Sequence, residues 1–204
     1  MDGVFMKKII TFGISVFTIL SVLFLADVWQ DKKVLQKNII RLHVVANSDS
    51  AEDQAVKLQV RNVIVDYLQP IVAEFSNKEE AEKYIREHLS QLQVVAEKEL
   101  RSLSNGDTVC VSLDKETFDT RVYETFSLPA GIYDTLRIEI GEGQGKNWWC
   151  VVFPSLCIPA TSAEFSDTAV SSGFSDDLSN TLADGSGFRF FLLDCIGKIE
   201  KLFN

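Results

Sequence analysis

The chain has 204 residues, of which 46% are hydrophobic and 24% charged, and its formal net charge is −9. That length builds one well-cored domain with little left for a second, and the composition is globular rather than disordered. With no cluster of five basic residues anywhere, the charge argues against nucleic acid or an anionic membrane surface as the main partner, since both select clustered Lys and Arg.

Residues 1–8 form a short tail ending in Lys7 and Lys8. An uncharged run from Ile9 to Ala26 follows, closed by Asp27. Its length stands on the border between a signal-peptide core and a membrane span, and a soluble core helix this long would show a polar face. Ala26 suits the residue before a signal-peptidase cut, whereas Phe24 is too bulky for the small-x-small pattern. Residues 9–26 therefore read as a signal peptide or membrane anchor. An uncleaved anchor is preferred, with residues 1–8 in the cytoplasm and the domain outside. Lys7 and Lys8 favour that orientation, although Lys32, Lys33 and Lys37 blunt the asymmetry. Residues 27–38 read as a polar tether.

Ile39 to Ala46 is rich in β-formers and predicts a buried strand. The turn Asn47-Ser48-Asp49-Ser50 leads into a helix whose start carries capping-box spacing at Ser50 and Asp53. Val56, Val60, Val63, Ile64, Tyr67 and Ile71 recur on its apolar face, and Pro70 marks its last turn. A second helix is predicted from Ser76, capped with Glu79, to Leu103, and Asn105-Gly106 stops it. Short strands are predicted at Val109–Leu113, Val122–Phe126 and Leu136–Ile140. The Gly-rich turn Gly141–Asn147 predicts a hairpin from the last of these to Trp148–Phe153, closed by Pro154 and Pro159. Residues 161–187, which lack Lys and Arg, read as a flexible acidic loop. Residues 188–204 form an apolar C-terminal segment packing on the domain, either a strand running into a helix or one amphipathic helix. The expected fold is α+β: two long helices on one face of a mainly antiparallel sheet, preceded by a hydrophobic helix. The domain proper would occupy residues 39–160.

Chemistry-bearing constellations are few. His43 and His88 lie on different elements and no C-x-x-C pair occurs, so no metal site is expected. Gly141, Gly143 and Gly145 precede a strand rather than a helix, which removes a phosphate-loop reading. No cofactor and no small-molecule substrate are expected. Cys150 and Cys157 are close in sequence and two readings stay open, a disulfide or buried thiols. Asp49 and Asp53 suit helix capping better than acid–base catalysis. Adjacent tryptophans in Asn147-Trp148-Trp149 must point to opposite faces of a strand, which leaves one of them available as an interface anchor.

The polar turn and the tryptophan strand also carry a resemblance. Arg41-Leu42-His43-Val44-Val45-Ala46-Asn47-Ser48-Asp49-Ser50, Leu128-Pro129-Ala130-Gly131-Ile132-Tyr133 and the run Gly141–Cys157 with its KNWWCVVFPSLC string resemble the stage II sporulation protein R family. The resemblance implies an exported signal made in the forespore, which reaches the intermembrane space and activates a membrane-embedded aspartic protease. That protease processes the precursor of the mother-cell sigma factor E. It implies no catalytic residue in this chain. On that reading Asn47, Ser48, Asp49, Asn147, Trp148 and Trp149 are the candidate partner contacts, and the chain is not an enzyme. The alternative is a cell-envelope hydrolase using Asp49 and Asp53.

Overall fold

One helix, α1 (Gly3–Asn38), carries the chain from the apolar run into the domain without a break. In this computed structural model, which describes residues 3–157 and 162–203, the apolar half of α1 is exposed and its second half is packed. Val28, Asp31, Lys32 and Leu35 are all buried. They follow the i, i+3, i+4, i+7 spacing of one helix face, which corrects the expectation of a tether over residues 27–38. The polar members of that face have partners waiting. Lys32 Nζ donates to Ala130 O at 2.5 Å, and Arg189 reaches Asp31 at 2.5 Å.

The strand β1 (Ile40–Val45) is buried along its whole length. Next come α2 (Ala51–Val72), α3 (Lys78–Glu87), α4 (Leu89–Ser102), β2 (Val109–Phe118), β3 (Arg121–Val122), β4 (Ser127–Leu128), β5 (Gly131–Ile140) and β6 (Asn147–Phe153). The four-stranded sheet has the order β2-β5-β1-β6. β1 is parallel to β5 and antiparallel to β6, and β2 is antiparallel to β5. The sheet is thus mainly antiparallel and the fold class α+β, as the sequence implies. The expected hairpin between β5 and β6 is not formed, because β1 lies between them. The Gly-rich segment crosses over the end of β1 instead.

Two local expectations also change. The expected single helix from Ser76 to Leu103 is broken at His88, whose φ of −115° and ψ of 15° leave the helical region. The His88 ring stacks on Tyr84 at 4.0 Å. The cap at its start is Asn77, whose side chain accepts from Glu80 N, while Ser76 N donates to Glu80 Oε2. The expected strand Val122–Phe126 is replaced by the two-residue ladder β3–β4, closed by Tyr123 N donating to Phe126 O.

The sheet separates two cores. Ile40, Leu42 and Val44 of β1 face α2, α3 and α4, where Val60, Ile64, Leu68, Ile85, Leu92 and Ala96 complete an apolar layer. The opposite face is covered as well, by the second half of α1 and by α5 (Ser162–Ser171), α6 (Asp176–Asp184) and α7 (Gly187–Leu202). This corrects the flexible-loop expectation for residues 161–187. Phe165, Ala169, Leu178 and Leu182 are fully buried there, Ser175 caps α6 through Leu178 N, and Gly185 ends it in the left-handed conformation. Residues 188–204 form one helix through Leu202 rather than a strand and a helix. Pro159, expected to close the β6 segment, lies outside the described residues.

Candidate functional site

The turn after β1 and the segment before β6 are about a hundred residues apart in sequence, yet four backbone amides of the second donate to the first. Gln144 N donates to Asn47 O at 3.1 Å and Gly145 N to Ala46 O at 2.9 Å. Glu142 N donates to Asn47 Oδ1 at 3.0 Å, and Lys146 N to Asp49 Oδ1 at 2.7 Å. Lys57 of α2 closes the other side by donating to Lys146 O at 2.9 Å. Two glycines make the approach feasible. Gly141 sits at φ +60° with Asn47 Oδ1 2.2 Å from where a Cβ would stand, and a Cβ on Gly145 would lie 2.2 Å from Ser48 O. The sequence explains both the turn and the loop: a dense Asn-Ser-Asp-Ser cluster offers side-chain acceptors, and a glycine-spaced loop offers bare amides.

The carboxylates of this ridge are occupied. Asp49 holds the Lys146 amide. Asp53 accepts from Ser48 Oγ at 2.5 Å and from Asn47 Nδ2 at 3.2 Å, and its own N–H donates to Ser50 Oγ at 3.0 Å. The hydroxyl of Ser48 leads the groups that hold the Asp53 carboxyl below its ordinary value, the opposite of what a general acid needs. Among the described residues no group of three or more His, Cys, Asp or Glu is gathered to hold a metal ion. The arrangement is a polar surface cross-braced by its own hydrogen bonds. Its outward residues include Asp49, Glu142, Gln144, Lys146 and Asn147, all exposed.

β6 carries the site onto both faces of the sheet. Trp148 packs on the first core, with the Arg61 guanidinium 4.7 Å from its ring centre. Trp149 points the other way, stacks on His43 at 5.6 Å, and carries the Arg121 guanidinium at 3.5 Å. Both rings are half-buried. His43 is locked between Glu116 Oε2 at 2.7 Å and Asn147 Oδ1 at 2.9 Å, and Arg137 Nη1 reaches Glu116 Oε1 at 3.3 Å. Burial opposes ionisation of Glu116, but its hydrogen bond and charge pairing with His43, joined by Arg137, hold its carboxyl below the ordinary value. Of the candidate residues, Asn47, Ser48, Asp49 and Asn147 gather at one end of the sheet, with Trp149 beside them and Trp148 on the reverse face. Sequence reasoning missed Glu116, Arg121 and Arg137. The signal for Glu116 and Arg137 is register across the sheet, which a single chain does not display, and Arg121 comes to Trp149 from the separate β3–β4 ladder. Cys150 and Cys157 are joined by a disulfide with Cα atoms 5.3 Å apart, tying the end of the following turn back to β6.

The ridge lies inside the part of the chain that matches a known family. The sequence profile of stage II sporulation protein R matches residues 36–163, more than half of the chain. The chain belongs to the stage II sporulation protein R family. Stage II sporulation protein R of Bacillus subtilis strain 168 is 36% identical over 124 residues, covering 61% of this chain and 55% of the relative's own length. No solved structure matches the chain. Family membership assigns this protein a role in sporulation. The matched segment begins inside α1 and ends inside α5, so the family's shared part includes the whole sheet, the α2–α4 layer and the ridge.

Proposed function

We propose that this protein is the intercompartment signal of sporulation: exported from the forespore, it acts from the intermembrane space on a membrane-embedded aspartic protease that processes the sigma-E precursor. One observation carries the reading. The two family motifs are clamped into a single rigid ridge whose chemically capable groups are used to hold it together, leaving a surface fit for recognition rather than turnover. The N-terminal helix is long and apolar enough to cross a membrane, with 34 residues from Phe5 to Asn38, which suits export or anchoring. Asn47 and Ser48 act as scaffold, while Asp49, Asn147 and Trp149 are the proposed contacts. No observation favours the hydrolase alternative, because Asp49 and Asp53 serve an amide and a hydroxyl rather than facing each other across a cleft.

The test is reconstitution in a non-sporulating host that expresses the protease, the sigma-factor precursor and this protein, with precursor cleavage followed by immunoblot. Cleavage should require this protein and its residues 1–26. Trp149→Ala and Asn147→Asp should reduce it several-fold while the domain keeps a cooperative unfolding transition. Cleavage indifferent to the protein's presence would defeat the proposal.

A further inference from the structure

The continuity of α1 fixes the depth of everything packed beside it. The uncharged run 9–26 spans about 27 Å at the α-helical rise, close to the roughly 30 Å of bilayer hydrocarbon. Phe24 lies two residues from its outer end, about 3 Å inside that boundary. The ring of Phe188, the second residue of α7, stacks on Phe24 with centroids 6.1 Å apart and planes 7° from parallel. Whatever depth Phe24 takes, Phe188 shares it.

α7 then runs alongside α1 in the same direction. Arg189 bonds Asp27 and Asp31 at 2.8 and 2.5 Å, and near the far end Gln36 bonds Glu200 at 2.8 Å. The two carboxylates met first on leaving the apolar run thus share one guanidinium, that of Arg189. Phe188 is 67% exposed, Phe191 one turn farther out is 58% exposed, and Trp29, at the same level on α1, is 46% exposed. Three large exposed rings lie near the place where the chain leaves the apolar run, Trp29 at the level of an interfacial aromatic belt and Phe188 and Phe191 as apolar residues that insert at such an interface. Because one face of residues 27–38, formed by Val28, Asp31, Lys32 and Leu35, is buried against the domain and the helix runs unbroken into it, no flexible segment separates the domain from this level.

We infer that the domain is seated directly on the bilayer, with the start of α7 inserted through Phe188 and Phe191 and flanked by Trp29. The contact is apolar rather than electrostatic. Asp177 and Asp184 lie beside Arg189 at this end, so zwitterionic headgroups suffice and anionic lipid adds nothing. The inference rests on the reading that residues 9–26 remain attached and occupy a membrane. Loss of residues 1–26 would strip Phe24 from Phe188 and release the seat.

The experiment uses the full chain in phosphatidylcholine vesicles, with Cys110→Ser and Cys195→Ser and the disulfide left intact. An environment-sensitive fluorophore is placed in turn through Phe17→Cys, Phe188→Cys, Phe191→Cys and Leu202→Cys, and quenching is read with lipid carrying a nitroxide near the headgroup for 188, 191 and 202 and deep in the acyl chain for 17, which lies at the middle of the apolar run. Positions 188 and 191 should be quenched several-fold more than 202, which lies on the same helix about 21 Å from 188. Phe191→Cys leaves the Phe24–Phe188 stack in place and covers the case in which Phe188→Cys loosens it. Quenching at 17 with 188 and 191 no higher than 202 overturns the inference but leaves the anchor standing. Absence of quenching at 17 removes the membrane reading itself, and the inference with it.

Discussion

The two faces of the sheet are built on different principles. The α2–α4 face is largely an oil layer: its buried cluster is mostly Val, Ile, Leu and Ala from periodic helices and the strands beneath them, with Lys57 and Lys78 the buried charges on those helices. The face under α1 and α5–α7 buries charge. Arg41 is fully buried, with its guanidinium 3.8 Å from the Phe118 ring centre and Nη2 donating to Tyr123 at 2.7 Å, while Lys32 and Asp194 sit nearby. An apolar layer needs only volume and pattern. A layer of buried charges holds only if its particular partners are in place. The first face is a scaffold that tolerates volume-conserving apolar swaps, whereas the second ties the membrane-proximal helix, the C-terminal helices and the motif strand into one network.

The largest expected effects test whether the second face is core at all. Leu68→Ala on the first face and Leu182→Ala on the second should each cost about 2–5 kcal/mol in denaturant unfolding, because both side chains are fully buried. Were residues 161–187 a solvated loop, Leu182→Ala would leave the midpoint where it was. Next in size is Asp194→Ala, at about 2 kcal/mol. The Asp194 carboxylate accepts from Ala130 N at 2.8 Å, from Thr120 Oγ1 and from Lys198, so its loss leaves a buried amide unpaired. A denaturation midpoint equal to wild type would mean that the network is ornamental and the second face behaves like the first.

Gly145→Ala probes the ridge where the faces meet. Its Cβ would stand 2.2 Å from the Ser48 carbonyl oxygen, so backbone must shift, at about 1–2 kcal/mol. Precursor cleavage should fall further than stability does, because the displaced segment is the proposed contact. Equal loss of stability with undiminished cleavage would locate recognition elsewhere.

The same contrast explains what was legible in the sequence. Helix α2 and its Ser50 cap, the strands β1 and β6 and the α+β class all follow from periodicity and turn chemistry, which are local. The order β2-β5-β1-β6 was not legible, since Gly141–Asn147 has the composition of a hairpin whether or not another strand lies between its arms. α5 and α6 were hidden by composition. Leu178 and Leu182 are four apart behind Ser175 and two first-turn aspartates, yet the abundance of Ser, Gly and Asp argued for a loop. Asp31 and Lys32 read as tether for a similar reason: their partners, Arg189 and the Ala130 carbonyl, lie about a hundred residues or more away. The site was half legible. Its motif residues were singled out, but the Glu116–His43–Asn147 bridge exists only once β2, β1 and β6 are in register.

That bridge gives the smallest and most specific effect. Glu116 has an ordinary value of 4.5 in the absence of its surroundings. Burial works to raise it, and the hydrogen bonds and charges of His43 and Arg137 more than reverse that, so the folded-state value is depressed. A depressed carboxyl contributes stability that is fully present above its unfolded value and is lost as pH falls through the folded one. Unfolding measured from pH 7 down to pH 3 should show wild type more stable than Glu116→Gln at neutral pH, with the gap closing below about pH 4.5 as the carboxylate takes up its proton. The groups facing Glu116 are His43 on β1 and Arg137 on β5, so Arg137→Met should shrink the same gap without abolishing it. A gap that stays constant across the range would mean that the Gln variant loses packing rather than charge, and that the polar end of this face is held by shape, like the oil layer on the other side.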